Sequence, residues 1–414
     1  MSSTFTNDIV AQAKGFDFVR AHFDCEKNRY SASNPDGYVN FGSAQNQLHG
    51  LELDSFLTDS SFRLQDAHYQ SFSGTSDCRD AVARYLSDTA RADVDSDHIV
   101  IGNGLISLLE ALGRSLLDAG EKVLVPTPVF PGLVNALTLR LSSGVEFLHR
   151  SPTDGFRISP QSIETALREH REAGSRIKAL LISSPGNPIG QVLSADELQQ
   201  IHAIAREYEC YLIVDEVYAN SCFEGTRFHS AIELDADDVF VLGGLSKDFG
   251  LAGFATGWLH CRHDAVRQAV ARQSHFFRLS APIQHILTEV LATEFRNSYL
   301  ARHQARLTKQ YKLASNLLEK AGVKHEATES GLCLWLDLRN HLASLDADGE
   351  MELYKFLLNE HRVHISPGSG FKCQHHGYFR ICFSQDTGVL MTGIARLAKG
   401  LEAFAVGAAS CPAS

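Results

Sequence analysis

Five polar residues stand in stretches whose neighbours are apolar. They are Asn187 in SSPGNPIG (183–190), Asp215 and Tyr218 in IVDEVY (213–218), Lys247 in GGLSKDFGLAGF (243–254) and Arg380 in YFRICF (378–383). A lone ammonium or carboxylate in such surroundings costs several kcal/mol unless it is paired or neutralised. A lysine that works as a neutral amine has a reason to accept the cost, because the free amine is a nucleophile and a base. A buried acid at a strand end needs a cationic partner, and a guanidinium in an apolar strand suits a carboxylate or a phosphate. Each residue also has an ordinary reading: a loop lysine, a helix-cap acid, a turn asparagine, an internal salt bridge. Taken in order along the chain, the five suit one cofactor. Pyridoxal 5′-phosphate needs an amine for its aldehyde, an acid to keep its pyridine nitrogen protonated, donors at its 3-oxygen and a cradle for its phosphate. Its amino-acid substrate needs a guanidinium.

The elements that must position these residues are visible as rhythm. HIVIG (98–102), KVLVP (122–126), KALLIS (178–183), YLIVDE (211–216) and VFVLGG (239–244) are short apolar runs of the kind that form strands buried on both faces. Between them lie helical periodicities. LISLLEALGRSLLDAG (105–120) ends at Gly120, and SADELQQIHAIAREY (194–208) opens with Ser194 and Glu197 at capping-box spacing and carries an apolar face of Leu198, Ile201, Ile204 and Ala205. This alternation predicts an α/β fold with a mostly parallel, doubly covered sheet, in which ligands meet the carboxyl ends of strands. GNGLIS (102–107) is then the anion cradle candidate, since N–H groups at a helix start point outward. It lacks the third glycine and the following acid of a dinucleotide fingerprint, and a bare glycine turn is its alternative. After about residue 265 the character changes to long helical stretches (298–322) and alternating segments such as GLCLWLDLR (331–339), which predicts a smaller α+β domain. The expected organisation is an N-terminal arm over 1–50 belonging to the small domain, a large cofactor domain over 51–290 and a small C-terminal domain over 291–414.

Bulk properties narrow the function. The chain has 414 residues, 44% of them hydrophobic, and a formal net charge of −11, the wrong sign for a nucleic-acid binder. Its nine cysteines are odd in number and form no CxxC, which reads as reduced thiols in a cytoplasmic protein. MSSTFTNDIV does not resemble a secretory signal, and no apolar run reaches the roughly 18 residues of a membrane span. The terminal CPAS has proline where a prenylation box has an aliphatic residue. The pairs His361/His364 and His375/His376 lack a third ligand at useful spacing, so no metal is expected.

The motifs GLSKDFGLAGF, SSPGNPIG, VDEVYA, VPTPVFPG, GLCLWLDLR, ISPGSGFKCQHHGYFRICFS and, in the arm, GYVNFGSAQNQL together resemble the fold-type-I class I/II aminotransferase superfamily. Within it they are most similar to the 1-aminocyclopropane-1-carboxylate (ACC) synthases, over about residues 30–405. The resemblance implies an aspartate-aminotransferase-like fold with a seven-stranded sheet, pyridoxal phosphate as cofactor and a homodimer whose neighbour contributes near the cofactor, here through Tyr69 and Phe72. It also implies roles. Lys247 carries the cofactor and moves the substrate's α-proton; Asp215 pairs with the pyridine nitrogen; Asn187 and Tyr218 meet the 3-oxygen. Phe130 stacks on the ring, Gly104, Leu105 and Ser246 serve the phosphate, and Arg380 takes the substrate carboxylate, with Ala44, Gln45, Asn187 and Phe72 beside the substrate.

The departures from the family are specific. Gly244 stands where a serine is usual, Ala255 where an arginine is usual and Phe72 where a tyrosine is usual, so three grips on the phosphate are missing; Ser246, Thr256, Arg278 and Lys372 are the candidates to compensate. Gln45 replaces a glutamate beside the substrate. The expected reaction is Cα deprotonation of an α-amino acid, with S-adenosylmethionine favoured. Methylthioadenosine would leave from the γ-carbon by ring closure or by elimination, and the fragment could join a second small molecule, as in relatives from natural-product pathways. Transamination of another amino acid is the alternative, and a degenerate, non-catalytic binding subunit is a third reading.

Overall fold

The computed structural model describes residues 17–48, 50–59, 64–141 and 144–410. The first ten residues and the terminal CPAS, on which the leader and lipidation expectations rest, lie outside these. The chain divides into two compact units, residues 45–308 with 328–331, and residues 1–44 with 309–327 and 332–414.

The first unit is built on seven strands: β1 (Ile99–Asn103), β2 (Lys122–Thr127), β3 (Gly144–His149), β4 (Ile177–Ser183), β5 (Tyr211–Asp215), β6 (Val239–Gly243) and β7 (Thr256–Cys261). Their order is β1-β7-β6-β5-β4-β2-β3, with β7 antiparallel to both neighbours and the other pairs parallel. β1, β2, β4, β5 and β6 are mostly apolar because alternate side chains enter two different cores. Ile99, Ile101, Leu124, Leu180, Ile182, Leu212, Val214 and Val241 belong to one; Val100, Val123, Val125, Leu181, Ile213, Phe240 and Leu242 belong to the other. Five strands match the apolar runs of the sequence. β3 and β7 are additional, and together they complete the seven that the resemblance implies.

Helix α1 (Leu105–Leu116) follows β1 directly and stops four residues before Gly120, where the chain turns instead of continuing the helix. Helix α2 (Ala195–Glu207) has the expected capping box: the Ser194 hydroxyl accepts from the Glu197 N–H at 3.2 Å, and the Glu197 carboxylate accepts from the Ser194 N–H at 2.8 Å. Leu198, Ile201 and Ala205 of α2 are buried. Helix α3 (Thr293–Lys320) is 28 residues long, and the division between the units falls within it, after Thr308.

The second unit holds an antiparallel sheet of β8 (Lys324–His325), β9 (Cys333–Asp337), β10 (Ser366–Pro367) and β11 (Tyr378–Cys382), ordered β10-β11-β9-β8. A short parallel pairing joins Val39–Asn40 to Val363–His364. The helix Thr387–Ser410 approaches this pair closely: a Cβ on Gly393 would fall 2.3 Å from the Phe41 ring. The eight cysteines among the described residues are free and buried. No helix among those residues is long and apolar enough to cross a membrane.

Candidate active site

The carboxyl ends of β1, β2, β4, β5 and β6 lie on one edge of the parallel sheet, and each sends a predicted residue from that edge. Asp215 ends β5 and is buried at 6% exposure. Its carboxylate accepts from the Val217 N–H at 3.1 Å and from the Ser183 hydroxyl at 3.4 Å. Burial pushes its pKa up from 3.8 to about 6, against the opposing pull of the Val217 N–H, the Lys247 charge and Ser183. Tyr218 follows three residues later, buried, with its hydroxyl 3.4 Å from Asn187 Nδ2. Asn187 sits in the loop after β4, so two strand ends supply one pair of donors.

Glu216, the second acid of IVDEVY, points elsewhere. Its carboxylate accepts from the Ser230 hydroxyl at 2.7 Å and from the Ala231 N–H at 2.6 Å, at the start of the short helix Ala231–Leu234. This is the helix-cap reading of an acidic residue. Burial pushes its pKa up to about 8.

Lys247 lies on the turn after β6. Its flanks Leu245 and Phe249 are fully buried, as the pattern predicts, but the lysine itself is half-buried. Asp248 beside it is buried, accepting from the Asn220 N–H at 2.9 Å and the Ser221 hydroxyl at 2.7 Å, with the Tyr85 hydroxyl also bonded to it. Burial pushes Asp248 up to about 6. The carboxylate therefore ties the Lys247 turn to the segment that follows Tyr218. Asn46, fully buried, donates to the Lys247 carbonyl at 2.9 Å. Neither Asp248 nor Asn46 is among the expected site residues; their only sequence signal is a polar residue adjacent to an expected one, Asp248 after Lys247 and Asn46 after Gln45. Gln45 itself is exposed.

At the end of β1, Gly104 caps α1 with φ 84°, a conformation that favours glycine. The first N–H groups of α1 have no acceptor within the helix. A Cβ on Gly257 of β7 would lie 2.6 Å from the Gly104 carbonyl carbon and 2.7 Å from the Leu105 nitrogen, so the strand passes this turn with room only for glycine. Phe130 follows β2 and is 36% exposed, its ring lying across Gly132 of the next helix.

The positions that lack the family's phosphate grips are structurally explicit. A Cβ on Gly244 would meet the Thr256 carbonyl oxygen at 2.4 Å. Ala255 adopts φ 47° at the end of a short helical turn. Thr256 is buried and its hydroxyl accepts from the Leu245 N–H at 3.1 Å, so it is committed to the backbone. Ser246 is half-buried on the Lys247 turn. Phe72 is 41% exposed, with its ring 4.4 Å from His275 and 5.0 Å from the Arg278 guanidinium. Lys372, in the other unit, is exposed.

Arg380 is in β11 of the second unit and 4% exposed. Its guanidinium donates to the Gly42 carbonyl and to the Ser366 hydroxyl at 3.5 Å, and lies 4.7 Å over the Phe371 ring. It thus anchors the arm two residues before Ala44. Glu350, in the same unit, is buried and accepts from the Ser369 and Gly377 N–H groups at 3.0 and 2.9 Å. Among the described residues there is no group of three side chains able to hold a metal.

These donors fit pyridoxal phosphate. A buried strand-end carboxylate with a raised pKa suits a cationic ring nitrogen, the Asn187–Tyr218 pair suits an oxygen, and the Gly104 turn suits an anion. Comparisons with known proteins agree. The chain matches the class I and II aminotransferase family over residues 63–397. It is 31% identical over 397 residues to 1-aminocyclopropane-1-carboxylate synthase 4 of Solanum lycopersicum, covering 90% of this chain and 83% of that one. It is 32% identical over 385 residues to synthase 4 of Arabidopsis thaliana, covering 87% and 81%. In fold it is similar to an aromatic aminotransferase from Pyrococcus horikoshii OT3, with TM-score 0.78, 21% identity and coverage of 88% and 96%. It is similar also to the aspartate aminotransferase of Thermus thermophilus with maleate, with TM-score 0.76, 20% identity and coverage of 97% of each chain. The chain belongs to the class I and II aminotransferases and is a pyridoxal-phosphate-dependent enzyme of the aspartate-aminotransferase-like fold.

Proposed function

We propose that the chain removes the α-proton of S-adenosylmethionine and expels methylthioadenosine from its γ-carbon. The observation that carries the cofactor roles is the buried Asp215 carboxylate, 6% exposed and pushed up to about 6, at the strand end beside the Lys247 turn. The choice of substrate is supported by the 31–32% identity to ACC synthases across more than four-fifths of their length.

Pyridoxal phosphate, when bound, supplies the electron sink that makes a Cα–H bond acidic. The chain's own groups do the rest. Asp215 keeps the pyridine nitrogen protonated. Asn187 and Tyr218 donate at the 3-oxygen, Phe130 offers a flat face to the ring, and Gly104, Leu105 and Ser246 offer N–H and O–H groups to the phosphate. Arg380 holds the substrate carboxylate in a bidentate grip that orients the Cα–H bond. The Lys247 amine takes that proton. The γ-carbon–sulfur bond then breaks with its electron pair going to sulfur, which neutralises the sulfonium and releases methylthioadenosine. Ring closure or capture by a second small molecule completes the turnover, with Ala44 and Gln45 beside the substrate. Tyr69 and Phe72, 96% and 41% exposed, support a homodimer in which a second copy covers them, and the eight free cysteines among the described residues support a cytoplasmic setting.

Gln45 favours one other reading. Without the glutamate of the ACC synthases, the same first proton transfer can end in transamination. Two measurements decide. Borohydride reduction of the protein with its cofactor should leave a pyridoxyl adduct on Lys247; labelling elsewhere rejects the site. Incubation with S-adenosylmethionine should release methylthioadenosine, whereas keto-acid formation from another amino acid without that release assigns transamination.

A further inference from the structure

The carbonyl of Lys247 has two bonding partners, the Gly250 N–H at 3.3 Å and Asn46 Nδ2 at 2.9 Å. Asn46 is fully buried, and its other side-chain atom, Oδ1, accepts from the Leu48 N–H at 3.0 Å, which fixes the amide's orientation. Behind it, Nδ1 of His303 lies 3.5 Å from Asn46 Nδ2. His303 is fully buried, and burial, helped by Arg306, holds it neutral with a pKa near 4. Facing an amide donor, the neutral ring offers Nδ1 as its acceptor, while its buried Nε2 makes no hydrogen bond among the described residues.

One helical turn earlier on the same face of α3, Tyr299 stacks on His303 at 6.1 Å and on Phe249 at 5.2 Å, and its hydroxyl donates to the Phe249 carbonyl at 3.3 Å. Two residues of one helix face therefore brace the Lys247 turn at two points: Tyr299 at Phe249, and His303, through Asn46, at Lys247 itself. A purely packing role for Asn46 does not explain an amide with both ends committed in a fully buried position, since an apolar residue would fill the space without needing partners.

We infer that Asn46 is a positioning residue for the Lys247 amine, fixing the backbone from which it projects and holding the adjacent Gln45 in register with it. The inference rests on the proposed role of Lys247, and it adds a residue that touches neither cofactor nor substrate.

The test compares the wild type with Asn46→Ala, Asn46→Asp and His303→Phe, using the full chain and added pyridoxal phosphate. In Asn46→Ala, borohydride reduction and peptide mass mapping should still place the cofactor on Lys247. The rate at which the apoprotein captures the cofactor should fall by about 10- to 100-fold, and the pH midpoint of the bound cofactor's absorbance change should move by roughly half a unit or more. His303→Phe keeps the stacking and the Asn46-to-Lys247 bond, so its capture rate should fall less. Unchanged capture rate and midpoint in a folded Asn46→Ala overturn the inference. Should that variant not fold, Asn46→Asp, of equal volume but with an oxygen in place of the donor, must show the same two changes, and wild-type behaviour there overturns it equally. A wild type that carries no adduct on Lys247 defeats the underlying reading instead, a result distinguishable at the first step.

Discussion

Replacing Asp215 by asparagine should stabilise the cofactor-free protein and weaken the loaded one. In the free chain the carboxylate is buried, and its pKa moves from 3.8 to about 6. Below about pH 4 the group is protonated in the folded and the unfolded chain, and the pKa difference contributes fully to stability. As pH rises from about 4 through about 6, the unfolded chain releases its proton first, so the folded state loses stability, up to about 3 kcal/mol once the carboxylate is ionised. Asparagine keeps an oxygen for the Val217 N–H and a donor facing Ser183, and it does not ionise. The two proteins should therefore melt alike near pH 4, diverge between about pH 4 and 6, and stay apart above that, with apo Asp215→Asn higher by a few degrees. Glu216 adds to the same sign, because the Asp215 charge is one of the influences that raise its pKa. With cofactor bound the order should invert. The amide cannot hold a ring nitrogen protonated, and removing one partner of a buried ion pair costs about 3–5 kcal/mol, so affinity for pyridoxal phosphate should fall by on the order of 100-fold or more. Calorimetric melts from pH 4 to 8, with and without cofactor, and a fluorescence titration read both arms. An apo variant that follows the wild type across that range, or that is less stable at pH 7.5, refutes the argument about Asp215 burial. Unaltered cofactor affinity refutes the pairing.

Glu216→Gln tests the neighbouring acid in its capping role: the part of the stability loss that Glu216 contributes as pH rises from about 4.5 through about 8 should be missing from the variant, which keeps the loss due to Asp215 and Asp248 up to about pH 6 but should fall less than the wild type overall, in apo melts over that range. Gly244→Ser restores the family's serine, yet its Cβ would lie 2.4 Å from the Thr256 carbonyl oxygen. It should lower stability by about 1–3 kcal/mol without improving cofactor affinity, as measured by thermal melting and cofactor titration. Arg380→Lys loses the planar fork that reaches the Gly42 carbonyl and the Ser366 hydroxyl. Steady-state kinetics should show KM for the amino-acid substrate raised by about 10- to 100-fold, with cofactor binding unchanged.

How much of this was legible depends on what each residue must touch. β1, β2, β4, β5 and β6 read as strands because both faces of their apolar runs are buried and polar residues fall only near their ends. β3 is half-buried along most of its length at the edge of the sheet, where Glu146 pairs with Lys122, so its sequence has neither a continuous apolar run nor a clean alternation. β7 is buried throughout but contains Gly257, which reads as a breaker; its actual reason is the Gly104 turn beneath it, a contact invisible to any local pattern. The same distinction runs through the site. Asp215, Lys247 and Asn187 are conspicuous because polar residues at the ends of apolar strands are conspicuous. Lys247 and Asp248, however, are adjacent, opposite in charge and equally polar on paper. The turn after β6 sends the carboxylate back to Asn220, Ser221 and Tyr85, buried at 1% exposure, and leaves the amine half-buried. Which of two neighbours performs chemistry and which braces it is decided by partners 27 to 201 residues away in sequence, such as Ser221 for Asp248 and Asn46 for the Lys247 carbonyl. Periodicity carries no record of such separations, so a single sequence marks where the polar groups cluster, while the fold assigns each its direction.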